Sequence, residues 1–217
     1  MGSNKLHQKC VLRLRHPEGD YYATEPEAAH DLMRIEPDIR HIWEPACGEG
    51  HLAKEFLRCG KLAHATDIVD RGWVRQEGTI DFLRYDGRFY EPYIGDIVTN
   101  PPYDIGLEFV LQALDVVEKG RYVAMFLPLT FLETQRRYIE LFRNQPPIRI
   151  WVYVKRRHCA LNGDFAGYGH NNMKAYAWFV WEKGWSGVTE LRWIDPTEED
   201  LRLSLLDVNV NTGTDHA

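Results

Sequence analysis

The stretch His41-Ile42-Trp43-Glu44-Pro45-Ala46-Cys47-Gly48-Glu49-Gly50-His51-Leu52 decides the fold. A short apolar run ends in an acid, turns through two glycines and passes into Leu52, Phe56 and Leu57, which share one helical face. Strand, glycine turn and helix in that order open a βαβ unit. Glycines at 48 and 50 let the backbone approach a ligand closely. The dinucleotide fingerprint asks for a third small residue three places on, which Ala53 supplies only loosely. A pyrophosphate would seek bare amides and cations. Glu44 and Glu49 instead put carboxylates at the mouth, which suits a ligand carrying an ammonium and a sulfonium.

Outward from this unit, apolar runs predict strands at His41–Glu44, Leu62–Asp67, Ile94–Asn100, Tyr122–Leu127, Ile148–Val154 and Ala175–Trp181. Between them, Leu107, Val110, Leu111, Leu114 and Val117 repeat at helical spacing, and a further helix is expected over Glu133–Arg143. Ahead of the first strand, Pro26–Met33 reads as a helix with Thr24 as its N-cap and Pro26 in its first turn. The alternation is that of an α/β protein with a largely parallel sheet. Arg71–Gly87 and Arg156–Lys174 fall outside it; long loops of this kind are usually functional or mobile.

The 217 residues, with no repeat or linker among them, fit a single domain spanning 1–217. No apolar run approaches the roughly 20 residues a membrane span needs, and Met1–Arg15 is polar and basic, so the protein reads as cytosolic. Cys10, Cys47, Cys59 and Cys159 form no C-x-x-C pair, which argues against a disulfide framework and a cysteine zinc site. His158, Cys159 and His170 match no standard ligand set, and no metal is expected. A net charge of −6 argues weakly against a nucleic-acid partner. Yet Arg136, Arg137, Arg143, Arg149, Lys155, Arg156 and Arg157 are opposed in sequence only by Glu140. A basic face and an ordinary solvated one read these charges equally well.

Three further motifs end strands in order. Asp67 closes the second, where a carboxylate can accept from both hydroxyls of a ribose. Asp81-Phe82 lies where a third should end, offering a carboxylate to an adenine amino group and an aromatic face to its ring. The next strand runs into Asn100-Pro101-Pro102-Tyr103. Two prolines remove two amide donors and leave a loop that mainly presents acceptors. The Asn100 oxygen and the Pro101 carbonyl can both accept from one planar amino group, localising its lone pair, while Tyr103 can stack on the ring that carries it. An aromatic amine so held needs aiming and polarising rather than prior deprotonation.

These motifs resemble those of the amino-methylating DNA methyltransferases in the gamma arrangement, and of short phage or prophage adenine enzymes, over roughly 21–181. The resemblance implies a Rossmann-like class I fold with a seven-stranded, mostly parallel sheet whose last strand is antiparallel. It implies S-adenosyl-L-methionine as cofactor, held by Tyr22, Thr24, Glu44, Pro45, Ala46, Cys47, Gly48, Gly50, Asp67, Asp81, Phe82 and Asn100. It implies Asn100, Pro101, Pro102 and Tyr103 as the catalytic loop, with the N6 amino group of a flipped adenine in DNA as target, in the cytoplasm of a bacterial or phage-infected cell. Residues 1–38 then form an N-terminal segment carrying the cofactor-contacting motif. The larger relatives have a target-recognition domain for which this chain has no room, so the 155–175 loop is the candidate DNA contact. Lys155, Arg156 and Arg157 would meet phosphates, and Phe165 and Tyr168 would hold the extruded base. Cys47 lies in the cofactor loop, and no Pro-Cys pair marks a covalent nucleophile, which disfavours cytosine-C5 chemistry. Methylation of an RNA base or a protein glutamine amide uses a similar loop and stays open, as does a binding module without catalysis.

Overall fold

The computed structural model describes residues 22–86, 92–161 and 174–195. In chain order its elements are β1 (Tyr22–Thr24), α1 (Pro26–Ile35), β2 (Ile42–Glu44), α2 (His51–Arg58), β3 (Leu62–Asp67), β4 (Gly78–Thr79), β5 (Asp96–Thr99), α3 (Gly106–Val116), β6 (Tyr122–Pro128), α4 (Gln135–Arg137), β7 (Arg149–Tyr153), β8 (Cys159–Leu161), β9 (Tyr176–Glu182) and β10 (Glu190–Ile194). The main sheet runs β10-β7-β9-β6-β5-β2-β3-β4, and β1 pairs with β8 in a separate two-stranded ribbon. Within the main sheet only β9 runs antiparallel to its neighbours, β6 and β7.

A sheet with both faces covered buries each strand on both sides, and the period of two then sorts its residues into two cores. In β9, Ala177, Phe179 and Trp181 join Val123, Met125 and Leu127 of β6 against Leu107, Val110, Ala113 and Leu114 of α3. The alternate residues Trp178 and Val180 join Ala124 and Phe126 against Ala28 and Leu32 of α1 and Leu52 and Phe56 of α2. Trp178 is fully buried, and its indole nitrogen donates to the Ala28 carbonyl at 3.0 Å and the Tyr153 hydroxyl at 3.1 Å, tying β9 to α1 and β7. Removing such a ring costs about 3–5 kcal/mol.

All six expected strands are present, with ends within two residues of the reading. Among the described residues the sheet nevertheless has eight strands rather than seven, and the antiparallel β9 is not the last. β10 adds to the edge, parallel to β7, with four of its five residues exposed, so it carries no apolar run to mark it. Thr24 is not the cap of α1: it ends β1, and Glu25, with no side-chain cap bond, precedes Pro26 at the helix start. The helix read at Glu133–Arg143 opens as the short α4 and widens into a π turn over Tyr138–Phe142. The Arg71–Gly87 stretch contains β4 and a 3-10 turn at Phe82–Arg84, and no helix links β3 to β4; Trp73 fills the space beside Ala53 and Ala65.

The chain steps outward from β2 through β3 to β4, then returns to the other side of β2 as β5 and β6. The sheet order reverses between β2 and β5, and the crevice at the carboxyl ends of strands at such a switch point is where open α/β sheets bind ligands. Glu44, Asp67 and Asn100 stand at those ends.

Candidate active site

The turn after β2 needs its glycines. Gly48 and Gly50 have φ of 54° and 78°, in the left-handed region, and a Cβ at position 50 would stand 2.5 Å from the Trp73 ring. The turn is fastened to β3: the Cys47 amide donates to the Thr66 carbonyl at 3.0 Å and the Gly48 amide to Asp67 Oδ2 at 2.8 Å. Asp67 Oδ1 accepts from the Val69 amide at 3.0 Å. Burial still raises the Asp67 pKa, these amide bonds opposing it.

Glu44 is 2% exposed, and its Oε2 has no hydrogen-bond partner among the described residues. Burial first, then the Asp67 charge, push its carboxyl well above the usual carboxylate range, with the Ala53 amide opposing them. Burial and the same two acids also push the Cys47 thiol up, so Cys47 is no thiolate nucleophile. Pro45 and Gly50 are buried, Ala46 is half-buried and Glu49 is exposed.

Asp81 and Phe82 have local duties. Asp81 Oδ1 caps the 3-10 turn by accepting from the Leu83 amide at 3.1 Å, and Oδ2 faces Arg84 Nε at 3.2 Å. Phe82, 2% exposed, packs between Trp43 and Phe109, with ring centroids at 5.4 and 5.2 Å. The aromatic face expected for an adenine is turned into the core. Ile68, directly after Asp67, is 40% exposed.

At the end of β5, Asn100 Nδ2 donates to the Tyr22 carbonyl of β1 at 2.9 Å. That bond orients the amide, and Oδ1 is left buried without a partner among the described residues. Pro101 is buried; the Pro102 carbonyl accepts from the Ile105 amide at 3.1 Å, turning the chain into α3. The Tyr103 ring lies tilted between Tyr22 and Tyr176, centroids at 6.1 and 5.5 Å, and its hydroxyl meets Cys159 Sγ at 3.0 Å. Burial, then the neighbouring Cys159 and Tyr176, hold its phenol well above the usual range, so it stays protonated. Thr24, 2% exposed, contacts the same sulfur at 3.7 Å.

The structure breaks up the row of basic residues. Arg157 is turned inward: Nη2 and Nε donate to Asp31 Oδ2 at 2.8 and 3.0 Å, and its guanidinium lies 5.8 Å from the Tyr153 ring centre. Arg149 grips Glu36, Arg136 pairs with Glu108 and Glu140, and Arg137 stands over Phe131. Lys155 and Arg156 are exposed, while Phe165, Tyr168 and His170 lie outside the described residues. Sequence reasoning missed Trp73, Ile68 and the inward role of Cys159. An isoleucine directly after a strand-end acid was the available signal for Ile68; nothing in sequence marked the other two.

No family model matches the sequence, and no curated protein matches it. Among solved structures the chain is similar to a protein from Listeria monocytogenes assigned as a class I S-adenosylmethionine-dependent methyltransferase, at TM-score 0.50 and 15% identity over 82% of this chain and 67% of the other. It is similar to a protein from Pyrococcus horikoshii assigned as an RNA methyltransferase, at TM-score 0.50 and 14% identity over 75% and 87%. It is also similar to the type IIG restriction endonuclease BpuSI, at TM-score 0.50 and 17% identity over 87% of this chain and 28% of that one. At such identities the likeness carries architecture alone: the chain has the Rossmann-like class I methyltransferase fold.

Proposed function

We propose that this chain is an S-adenosylmethionine-dependent methyltransferase acting on the exocyclic N6 amino group of adenine in DNA. The observation that carries the reading is the Asn100 amide at the switch point, its nitrogen tied to the Tyr22 carbonyl and its buried oxygen unpartnered among the described residues. A buried acceptor without a donor costs about 1–3 kcal/mol, so such an atom at a ligand-binding edge points to a donor that arrives with substrate.

The residues present fit the cofactor. Glu44 Oε2 is a second orphaned acceptor, and a ligand bearing ammonium and sulfonium charge relieves the repulsion between Glu44 and Asp67. Asp67 and Asp81, each fixed by local amide bonds, are the carboxylates we assign to the ribose hydroxyls and the adenine amino group. Ile68 offers the apolar surface that Phe82 does not. When bound, the cofactor supplies a methyl group activated by its sulfonium. Asn100 Oδ1 and the Pro101 carbonyl accept from the target amino group, and Tyr103, held as a neutral phenol, lines the ring site. Lys155 and Arg156, exposed just ahead of β8, are the cations we assign to a nucleic-acid backbone.

Label transfer from methyl-labelled cofactor to unmethylated DNA, RNA and a protein extract, read by nucleoside mass spectrometry and peptide analysis, tests the proposal. N6-methyladenine in DNA is the expected product. Label confined to RNA or to a glutamine amide overturns the substrate and retains the cofactor; no cofactor binding overturns both.

A further inference from the structure

We infer that Cys159 is a positioning residue that fixes the direction of the Asn100 amide and the seat of the Tyr103 ring, so that both meet the target base in one geometry. This rests on the methyl-transfer reading above. Cys159 is fully buried and opens β8 opposite Thr24 of β1. Its sulfur lies 3.0 Å from the Tyr103 hydroxyl, 3.7 Å from Thr24 Oγ1 and 4.0 Å from Asn100 Nδ2. One side chain thereby joins the N-terminal motif to two residues of the catalytic loop.

Donor counting gives the arrangement its direction. An amide nitrogen only donates, so the sulfur accepts from Asn100, as the Tyr22 carbonyl does. Flipping the amide would set its oxygen against the Tyr22 carbonyl oxygen and the sulfur, facing two acceptors and losing two bonds. Oδ1 is thereby held on the other side. The thiol has one proton, which the Thr24 or Tyr176 hydroxyl can take, and the sulfur lone pairs accept from Tyr103 and Asn100. Burial supports this by pushing the Cys159 pKa up to about 11, so the proton is present at neutral pH. A large, soft sulfur tolerates contacts from 3.0 to 4.0 Å; a serine oxygen, whose bonds run at roughly 2.7–3.2 Å, reaches fewer of these partners.

The test compares Cys159→Ala, Cys159→Ser, Tyr103→Phe and the double variant Cys159→Ala/Tyr103→Phe. Cofactor affinity is expected to stay within about twofold, while kcat falls about 3- to 10-fold in Cys159→Ala, as for one or two lost weak hydrogen bonds. Cys159→Ser should fall between alanine and wild type. The double variant should be less impaired than the product of the two single effects. Unchanged kcat in Cys159→Ala, a serine variant no better than alanine, or multiplying effects would each overturn the inference. Tyrosine ring-carbon NMR, with the Tyr103 signal assigned by its loss in Tyr103→Phe, gives a readout independent of turnover. The signal should move in Cys159→Ala and, should alanine not fold, in Cys159→Ser; a signal that stays put rejects the contact. Wild-type protein that binds cofactor and methylates nothing defeats the functional reading alone, since the NMR result still decides the positioning.

Discussion

Glu44 sits where burial and Asp67 both favour its neutral form. Its pKa is raised on folding, so the folded state keeps a proton that the unfolded chain has lost. The ligand-free protein is therefore stabler below the unfolded carboxylate pKa and loses stability as pH rises towards the raised folded value. Above that value the full penalty remains. A cationic cofactor favours the charged form, so binding should release a proton and tighten as pH rises through the same window. Calorimetry in two buffers of different ionisation enthalpy measures that proton. Glu44→Gln should raise the ligand-free Tm and abolish the proton release, yet weaken cofactor binding about 10- to 100-fold, the worth of one hydrogen bond to a charged group. If glutamine leaves affinity unchanged, Glu44 is a core residue and no ligand. Asn100→Ala should do the reverse, leaving affinity intact and lowering turnover by about 100-fold or more. Glu44, Asp67 and Asn100 were legible because strand-end position and charge are written in the sequence. The burial of Phe82 was not, because only the packing around Trp43 and Phe109 tells a ring facing a ligand from one facing the core.

Among elements, the strand end around Lys155–Arg157 shows how a charge run divides when the chain folds. In sequence the three cations are equivalent. In the structure Arg157 reaches back to α1 and neutralises Asp31, itself 4% exposed, while its two neighbours face outward. Arg157→Ala leaves a buried carboxylate uncompensated and should cost about 3 kcal/mol. For a chain of this size that lowers Tm by roughly 6–12 °C. Lys155→Ala/Arg156→Ala should change stability by less than about 1 kcal/mol and reduce the slope of log affinity against log salt for DNA by up to about 2. An unchanged slope removes this strand end from the nucleic-acid surface. The β1–β8 ribbon was equally illegible: it pairs short segments far apart in the sequence, and neither has the length or alternation that marks a strand.

For the whole molecule, the strands themselves were readable because buried parallel strands are continuous apolar runs, whereas the exposed edge strand β10 carries none; their order in the sheet comes from the structure. That sheet brings Glu44 Oε2, Thr99 Oγ1 and Asn100 Oδ1 to one edge, each buried and unpartnered among the described residues. A ligand that satisfies these three atoms should raise global stability. Cofactor at 100 times its Kd stabilises a protein by about 2.7 kcal/mol, which here means a Tm rise of roughly 5–10 °C. Asp67→Ala should abolish most of the rise, since the carboxylate holds both the Gly48 amide and the proposed ribose hydroxyls. Asn100→Ala should keep it, since that amide is proposed to meet the target base rather than the cofactor. The two variants therefore separate a residue that holds the cofactor from one that does not. A full rise in Asp67→Ala would mean that the glycine turn alone holds the cofactor; no rise in wild type would mean that the two orphaned acceptors at Glu44 and Asn100 await some other ligand.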